Sequence, residues 1–397
     1  MNIPVIALVG RPNVGKSALF NRLVGGATAI VSEEAGTTRD RHFAHGEWNG
    51  RAFWLVDTGG LTEDPSIPID VEIRRQVLQA VDEADLLLLV VDARTGLHPQ
   101  DQRVVEMLRG TGKPWLLVAN KVDDPDAADF YEFYNLGAGD VIPVSAKNGK
   151  GSGDLLDAAV QRFPELHPEQ PDALHVAVIG RPNVGKSSLV NRLLGEERLV
   201  VAAEAGTTRD AIDTPMRYHG RTLVFIDTAG LRRQARVNEG VEFYSSLRTR
   251  RAIDRADICL LVIDAVDGIE NQDLKIAALA WERGAGLIIV ANKWDLVEKD
   301  DKSAAKFAKE SQEKAPFLRF VPFLFTSALT GQRVTKLLEL LLEVDAERQK
   351  RISTSQVNAR LGELVARLQP PQAAGREVKL LYATQVQVAP PTIAVFG

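Results

Sequence analysis

The string Gly-Arg-Pro-Asn-Val-Gly-Lys-Ser occupies residues 10–17 and recurs unchanged at residues 180–187. Each copy follows a short apolar run and leads into a stretch that is typical of a helix. The string fits the pattern G-x-x-x-x-G-K-[S/T], whose glycines let successive backbone N–H groups turn inward around phosphate oxygens at the start of a helix. The sequence therefore predicts a phosphate-binding loop in two places.

The duplication extends beyond these loops. Residues 10–25 match residues 180–195 at 13 of 16 positions, and Glu-Ala-Gly-Thr-Thr-Arg-Asp is identical at 34–40 and 204–210. The offset of 170 residues is far longer than the roughly 20 to 50 residues of a solenoid repeat. We therefore expect two domains of one fold in tandem.

In both copies, continuous apolar runs alternate with stretches of helical character. Such runs are typical of strands that are buried on both faces of a parallel sheet between helices. We expect two P-loop domains of the doubly wound α/β class, with mostly parallel sheets and the ligand beyond the carboxyl ends of the strands. The predicted strands are 5–9, 53–56, 86–91, 116–119 and 141–144 in the first copy, and 176–179, 223–226, 258–263, 287–291 and 323–325 in the second.

Prolines and acidic residues interrupt this pattern at 165–172 and mark a domain boundary. The predicted organisation is a first domain at 1–165, a linker at 166–173, a second domain at 174–346 and a small third domain at 347–397.

Composition limits the class of protein. The chain has 397 residues, 45% of them hydrophobic, and a net charge of −5, which argues against wholesale coating of nucleic acid but allows a local basic patch. Its longest apolar run, 86–91, is far shorter than the ~20 residues of a membrane helix, and its N-terminus resembles no cleavable leader. The single cysteine, Cys259, excludes an internal disulfide framework. These features predict a cytoplasmic protein.

Further candidate ligands follow the strands. Lys16 and Lys186 are expected to reach the β- and γ-phosphates, and the hydroxyls of Ser17 and Ser187 to bind magnesium. Asp-Thr-Gly-Gly at 57–60 and Asp-Thr-Ala-Gly at 227–230 each follow an apolar strand. Their aspartates can hold magnesium through water, and their last glycines can present an N–H group to the γ-phosphate.

Base identity depends on Asn-Lys-Val-Asp at 120–123 and Asn-Lys-Trp-Asp at 292–295. An aspartate carboxylate only accepts hydrogen bonds, so it pairs with the N1–H and exocyclic amine of guanine and not with the unprotonated N1 of adenine. The asparagine amide can meet guanine O6 or N7, and the lysine stem can pack over the base. Ser-Ala at 145–146 and 327–328 could place a backbone N–H on O6.

The motifs GRPNVGKS, GTTRD, DT[G/A]G, NK[V/W]D and SA[K/L], each present twice, resemble those of the Der (EngA) family of tandem GTPases. The resemblance implies hydrolysis of GTP to GDP and phosphate in the assembly of the large bacterial ribosomal subunit. It implies that nucleotide state controls binding to the pre-ribosomal particle, that the partners are the large subunit and its rRNA, and that the protein is a monomer without membrane contact. It also implies that Thr38 and Thr208 are switch I threonines that bind magnesium when GTP is present.

Leucine stands where a catalytic glutamine is found in Ras-like enzymes, at Leu61 and Leu231. Leucine neither donates nor accepts a hydrogen bond, so intrinsic turnover is expected to be slow. The subclass that this sequence resembles uses a potassium ion held partly by an asparagine of the phosphate loop, which Asn13 and Asn183 match. We therefore expect potassium-stimulated hydrolysis in one or both domains.

The two copies differ after the third motif. Residues 61–70 are acidic and contain two prolines, whereas residues 231–237 contain three arginines. The basic segment could contact RNA phosphates or an acidic neighbouring domain in one nucleotide state, or could simply be a solvated surface. Both interpretations remain open.

The last 51 residues, from Glu347 onward, carry seven basic and three acidic residues. An amphipathic helix is predicted around Val357, Leu361, Leu364, Val365 and Leu368, followed by strands at 378–388 and 392–396. In the resembling family this region is a KH-like domain, a fold used on single-stranded RNA. Here it has no Gly-x-x-Gly loop and ends at Gly397, before the last helix and strand of the family, so we expect a C-terminally incomplete domain.

Two other functions compete with this interpretation. One is a GTP-regulated RNA-binding scaffold in which one domain scarcely hydrolyses GTP, and the other is a metabolic or tRNA-modification enzyme, for which no second substrate motif is present. The expected catalytic residues are Lys16, Lys186, Thr38 and Thr208. The expected nucleotide-binding residues are Gly10, Arg11, Pro12, Asn13, Val14, Gly15, Lys16, Ser17, Asp57, Thr58, Gly59, Gly60, Leu61, Asn120, Lys121, Val122, Asp123, Ser145, Ala146, Gly180, Arg181, Pro182, Asn183, Val184, Gly185, Lys186, Ser187, Asp227, Thr228, Ala229, Gly230, Leu231, Asn292, Lys293, Trp294, Asp295, Ser327 and Ala328. The expected metal ligands are Ser17, Thr38, Asp57, Ser187, Thr208 and Asp227 for magnesium, and Asn13 and Asn183 for potassium.

Overall fold

A computed structural model describes residues 3–26, 43–60, 71, 73–74, 77–78, 80–81, 84–123, 128–163, 173–195, 213–228, 242–298, 303–368 and 379–397. The chain divides into two compact units, Met1–His167 and Pro168–Gly397.

The first unit is built around a six-stranded sheet in the order β2-β3-β1-β4-β5-β6. Strand β2 is antiparallel to β3, and the other neighbours are parallel. The strands are β1 (Val5–Val9), β2 (Phe43–Trp48), β3 (Arg51–Asp57), β4 (Leu86–Asp92), β5 (Trp115–Asn120) and β6 (Val141–Pro143). The α-helices with described ends are α1 (Lys16–Gly26), α2 (Pro99–Arg109) and α3 (Ser152–Gln161), and 3-10 turns cover Thr58–Gly60 and Ala128–Leu136.

Burial on both faces explains why the continuous apolar runs form the central strands. All seven residues of β4 are buried, and Phe53 on β3 is only 1% exposed. Helices α1 and α3 contribute Leu19, Leu23 and Leu155 to the core that covers one face. Each such side chain contributes about 1.5–3 kcal/mol by leaving water.

The second unit repeats the sheet as β12-β11-β10-β7-β9-β8 and adds a separate two-stranded sheet. Two apolar clusters, one on each face, enclose its central strands. The strands are β7 (Leu174–Ile179), β8 (Thr214–Tyr218), β9 (Arg221–Ile226), β10 (Ile258–Asp264), β11 (Gly286–Asn292), β12 (Phe323–Phe325), β13 (Tyr382–Gln387) and β14 (Thr392–Phe396). The helices are α4 (Lys186–Leu194), α5 (Glu242–Arg255), α6 (Asn271–Glu282), α7 (Ser303–Lys314), α8 (Lys336–Arg348) and α9 (Thr354–Arg367), with 3-10 turns at Trp294–Leu296 and Pro316–Phe320.

The P-loop fold class with mostly parallel sheets is confirmed, and every predicted strand of the two copies exists. Strands β2 and β8 were not predicted from sequence. They are edge strands with mixed burial, so they lack the continuous apolar run by which the central strands were recognised.

The C-terminal region forms helix α9 and the antiparallel β13–β14 hairpin, as expected of a small α+β domain. Asn358 ties the two together, since its Nδ2 donates to the Ala383 carbonyl and its Oδ1 accepts from the Ala383 N–H, both at 2.8 Å. The predicted apolar helix face is only partly covered. Val357 is buried, but Leu364 and Leu368 are 56% and 70% exposed, because the hairpin packs near the start of the helix.

No helix in the described part of the chain is long and apolar enough to cross a membrane.

Candidate functional site

The predicted site residues meet at one edge of each sheet because parallel strands end together there. In the first unit, Leu8 of β1 is in register with Asp57 of β3, and Asp92 of β4 with Asn120 of β5. In the second unit, Asp264 pairs with Asn292 in the same way. Two equivalent sites are thus built, one in each unit.

The phosphate loops require glycine at both ends. Gly10 has φ +143°, and a Cβ atom there would lie 2.4 Å from the Val90 carbonyl oxygen. Gly15 has φ +93°, and its Cβ would lie 2.4 Å from Nδ2 of Asn120. Gly180 and Gly185 have nearly the same geometry. Only glycine lets the loop pass this close to its neighbours. Because the φ angles and the distances match between the copies, the two loops have the same shape at these positions.

The loop lysines close back onto the loops that carry them. Nζ of Lys16 donates to the carbonyls of Gly10 at 2.8 Å and Arg11 at 2.9 Å. Lys186 makes the same bonds to Gly180 and Arg181 at 2.8 and 2.6 Å. Burial lowers the pKa of each lysine to about 8, an effect that nearby Asp57 opposes for Lys16 and Asp273 for Lys186. Each ammonium group is thus held by two carbonyls of its own loop.

The arginine that follows the first glycine of each loop faces away from it. Nε of Arg11 donates to the fully buried Asp101 at the start of α2, at 3.2 and 3.3 Å. Arg181 binds Asp273 of α6 at 3.0 Å and Glu270 at 2.8 Å. These side chains anchor the loop to the helix after the fourth strand of the domain, and only their backbone carbonyls face the lysine.

The Asp-Thr-Gly segment of the first unit has an oxygen-rich environment. The Asp57 carboxylate is 3% exposed and accepts a hydrogen bond from the Gly59 N–H at 2.9 Å. The Thr58 hydroxyl is turned into the sheet, where it donates to the Leu8 carbonyl at 2.6 Å. Asp57 and the exposed Ser17 offer oxygen ligands, which suit magnesium, whereas Thr58 supports the strand end.

The equivalent segment of the second unit is held differently. Asp227 has φ +54°, and its N–H donates to Oδ1 of Asp213 at 2.9 Å. Asp213 in turn forms an ion pair with Arg255. The Thr228 hydroxyl shares a 2.6 Å hydrogen bond with Thr214. The two domains therefore differ at this aspartate.

The side chains of Asn120 and Asn292 each connect the phosphate loop with the Ser-Ala segment of the same domain. Asn120 is 1% exposed, its Nδ2 donates to the Val14 carbonyl at 2.9 Å, and its Oδ1 accepts from the Ala146 N–H at 3.1 Å. Asn292 makes the same pair of bonds to Val184 and Ala328 at 2.9 and 3.0 Å. The amide expected to meet guanine O6 or N7 is thus already paired with protein, and its partner Ala146 belongs to the Ser-Ala segment, from which a backbone N–H is expected to reach O6.

The lysines of the Asn-Lys-x-Asp segments are fixed at their tips. Nζ of Lys121 lies 2.9 Å from the Asn13 carbonyl and 2.6 Å from Oδ2 of Asp92, and Lys293 lies 2.7 Å from Asp264. Both lysines have positive φ, 69° and 60°. The Lys121 tip therefore links the phosphate loop with the end of β4.

The carboxylate of Asp123 is 43% exposed and surrounded by donors. Ser145 Oγ donates to its Oδ1 at 2.9 Å, Asn148 Nδ2 to the same atom at 3.0 Å, and Arg94 Nη2 to its Oδ2 at 2.5 Å. The hydrogen bond from Ser145, and after it that from Arg94, lowers the pKa of this carboxyl. Asp123 is therefore an ionised acceptor at neutral pH.

Several predicted residues lie outside the described part of the chain. They are Thr38, Leu61, Thr208, Ala229, Gly230 and Leu231, together with the basic segment 231–237. Within the described residues, no group of three or more His, Cys, Asp or Glu side chains is arranged to hold a metal ion.

Sequence reasoning missed Asp92 and Asp264, which hold the lysines, and Asp101 and Asp273, which hold the loop arginines. The first pair had a usable signal, since the dipeptide Asp-Ala follows the same apolar strand in both copies, at 92–93 and 264–265. The second pair had one as well, since the dipeptide Gln-Asp occurs near the start of the following helix in both copies, at 100–101 and 272–273.

Comparison with known proteins matches the same segments. A model of a 50S ribosome-binding GTPase family matches residues 5–121 and again 175–293. A model of the KH-domain-like C-terminal region of EngA bacterial GTPases matches residues 351–397.

Whole-chain relatives are similar over nearly their full length. GTPase Der of Gemmatimonas aurantiaca is 70% identical over 100% of this chain and 91% of its own. GTPase Der of Caldanaerobacter subterraneus is 51% identical over 100% of this chain and 91% of its own. Among solved structures, Era in complex with MgGDPNP and nucleotides 1506–1542 of 16S ribosomal RNA is 19% identical, covers 82% of this chain and 94% of its own, and has a TM-score of 0.33, too low to support a conclusion.

Proposed function

The chain belongs to the GTPase Der family, and on that basis we propose that it acts in assembly of the large ribosomal subunit, with the nucleotide state of its two GTPase domains controlling its binding to the pre-ribosomal particle. As a family member it binds and hydrolyses GTP. The observation that carries the proposal is that one set of contacts is built twice. In each domain the loop lysine binds loop carbonyls, the asparagine side chain binds the phosphate loop, and a second lysine binds the aspartate at the end of a strand.

The phosphate side of each site consists of the loops 10–17 and 180–187. The N–H groups of these loops bind the polyphosphate. Lys16 and Lys186 bind it too, and its oxygens replace the loop carbonyls that the two lysines contact in this structure. Magnesium is held by Ser17 and Asp57 in the first domain and by Ser187 and Asp227 in the second, with Thr38 and Thr208 added in the GTP state. Bound magnesium neutralises charge on the β- and γ-phosphates.

The base side depends on Asp123 and Asp295. Each carboxylate accepts from N1–H and the exocyclic amine of guanine, while Lys121 or Lys293 packs over the ring. Asn120 and Asn292 position the phosphate loop against the Ser-Ala loop. Adenine would leave the carboxylate facing an unprotonated nitrogen, which costs about 1–3 kcal/mol, or roughly tenfold or more in affinity.

Turnover is slow and potassium-stimulated in this proposal. Leu61 and Leu231 cannot orient the attacking water, and Asn13 and Asn183 help to hold a potassium ion near the β- and γ-phosphates. Both asparagines are exposed on the loop in the left-handed conformation, with φ 65° and 63°, so their amides are available to a ligand. Equal turnover in sodium and potassium buffers would contradict this point, and Asn13→Ala with Asn183→Ala should remove any difference between the two salts.

The partners in this proposal are the large ribosomal subunit and its rRNA, bound by a monomer. The domain boundaries are those predicted from the sequence: 1–165, 174–346 and 347–397, with a linker at 166–173.

Sedimentation with purified ribosomal subunits tests the proposed function. The protein should pellet with the large subunit to different extents with GTP, with GDP and without nucleotide, and not with the small subunit. Lys16→Ala and Lys186→Ala should each alter this dependence. Co-sedimentation that ignores the nucleotide, or that favours the small subunit, would contradict the proposal.

A further inference from the structure

The guanine-facing carboxylate of the first domain is already bound by an arginine of the same domain. Nη2 of Arg94 lies 2.5 Å from Oδ2 of Asp123, while Ser145 and Asn148 both bind Oδ1. Oδ1 is thus shared by two protein donors, and Oδ2 is taken by Arg94. A base that needs both oxygens must share Oδ2 with the guanidinium or displace it.

The backbone fixes where this arginine stands. Arg94 follows β4 by two residues, and its N–H donates to Oδ1 of Asp92 at 3.0 Å. The other oxygen of Asp92 holds Lys121. The turn after β4 therefore has two effects. Its Asp92 fixes Lys121 beside the base site, and its backbone positions Arg94 next to Asp123, the carboxylate that recognises the base.

The second domain has the same turn without the arginine. Val266 stands in the equivalent position, and its N–H donates to Asp264 at 2.9 Å. Its side chain is 59% exposed. Within the described residues, Asp295 has no ion-pair partner, so its carboxylate is open to a base. Arg94 is thus a charged side chain that the first guanine site has and the second lacks.

We propose that Arg94 is an internal competitor for the guanine edge, which weakens guanine-nucleotide binding in the first domain and leaves the second unaffected. A guanidinium presents planar N–H donors to a carboxylate, as the N1–H and amine of guanine do. The inference rests on the proposed role of Asp123 in base recognition.

The expected effect is modest because the pair is exposed. The side chain of Arg94 is 61% exposed and that of Asp123 is 43% exposed, and ion pairs of this kind are weak and screened by salt. We expect loss of the arginine to tighten GDP binding about two- to fivefold. The gain should shrink as ionic strength rises.

The test is calorimetric titration of GDP into the full-length, nucleotide-free protein. In an Asp295→Asn background, which disables guanine recognition in the second domain, GDP reports on the first domain alone. Arg94→Val should then tighten GDP binding by the stated factor, and Arg94→Gln should do so nearly as well. Arg162→Val, which removes one positive charge from the same domain elsewhere, should leave the affinity unchanged.

Two further arms separate competition from other effects. In an Asp123→Asn protein, which should bind XDP in place of GDP, Arg94→Val should not change XDP affinity, because the carboxylate is gone. In the same Asp123→Asn background, GDP reports on the second domain, and Val266→Arg should weaken its binding about two- to fivefold.

Unchanged or weaker GDP binding by Arg94→Val would overturn the inference, and weaker binding would mean that the arginine contacts the bound nucleotide. So would an effect of Arg94→Val on XDP binding that equals its effect on GDP. If Asp123→Asn instead still bound two equivalents of GDP and bound no XDP, the proposed guanine-recognition role of Asp123 would fail, whatever Arg94 does.

Discussion

Nζ of Lys121 lies 2.6 Å from Oδ2 of Asp92, and Nζ of Lys293 lies 2.7 Å from Oδ2 of Asp264. The other oxygen of each aspartate accepts the N–H of the residue two positions later. The carboxylate at the end of the central strand therefore holds the lysine beside the base site and shapes the turn that follows. The arrangement is repeated in both units, at the sheet edge where the proposed nucleotide sites lie.

Substitution of this carboxylate should weaken nucleotide binding. Asp92→Ala removes one of the two acceptors that hold the tip of Lys121, and we expect roughly 3- to 30-fold weaker GDP binding in the first domain because a charge-assisted hydrogen bond is lost. Asp92→Asn, which keeps an acceptor for the Arg94 N–H, should lose less. Calorimetry in the Asp295→Asn background measures both, and equal affinity of Asp92→Ala and the parent would contradict the assigned role.

The ion pair between Arg11 and Asp101, which anchors the phosphate loop, should contribute to the free energy of unfolding. Asp101 is fully buried beside Arg11, and burial raises the pKa of its carboxyl, an effect that Arg11 opposes. Asp101→Ala leaves the Arg11 charge poorly compensated and should cost about 3 kcal/mol of unfolding free energy. Denaturant unfolding measures this, with the exposed Asp154→Ala as control. A loss for Asp101→Ala no larger than that of the control would contradict the anchor.

Nucleotide binding should be accompanied by proton uptake. The pKa of Lys16 and of Lys186 is about 8 when the lysines contact only loop carbonyls, and phosphate oxygens favour the charged form. At pH 8 each domain should therefore take up about half a proton with GDP. Calorimetry in two buffers of different ionisation enthalpy measures this number, and Asp295→Asn should halve it. GDP binding without proton uptake at pH 8 would refute the prediction.

The same pKa values affect the free protein. Because the folded state lowers each lysine pKa from 10.5 to about 8, folding disfavours the ammonium form. This cost is present in full below pH 8 and is relieved as the pH rises from about 8 towards 10.5. The lysine contribution to stability should accordingly rise over that window in nucleotide-free protein relative to Lys16→Met. Identical pH profiles would contradict it.

The C-terminal hairpin should depend on one buried amide. Gln385 is 3% exposed, and it links the Ile352 N–H at 2.7 Å with the Lys350 carbonyl at 3.2 Å. Gln385→Ala leaves both groups without this partner and should cost about 1–3 kcal/mol. Limited proteolysis should detect faster cleavage near residue 350, whereas the exposed Gln387→Ala should cleave at the parent rate. Equal rates for the two variants would count against this link.

The central strands and the two phosphate loops were predictable from sequence because each depends on a local signal. The run Leu86–Asp92 is buried on both faces, and its six consecutive leucines and valines predict this burial. The edge strand Phe43–Trp48 mixes buried and exposed residues, and its place depends on pairing with the neighbouring strand. Such pairing is a long-range property that a short window of sequence does not carry.

Within the described part of the site, the sequence predicted which residues lie close together. It did not predict which groups their side chains contact. Asn120 was expected to face the base, yet its two polar atoms bind Val14 and Ala146. Arg11 was expected among the nucleotide ligands, yet its side chain binds Asp101. Arg94 is replaced by Val266 in the second copy. It therefore belongs to no repeated motif from which a role in the site could be predicted. Side-chain partners across the fold depend on distances between strands and helices, which motif spacing does not encode.

The most direct test of two guanine sites is a titration of GDP and ATP into nucleotide-free protein with magnesium. We predict two equivalents of GDP for the parent, one each for Asp123→Asn and Asp295→Asn, and none for the double variant, which should instead bind two equivalents of XDP. ATP should not compete at equal concentration. A single GDP equivalent in the parent, or GDP binding that survives in the double variant, would contradict the account.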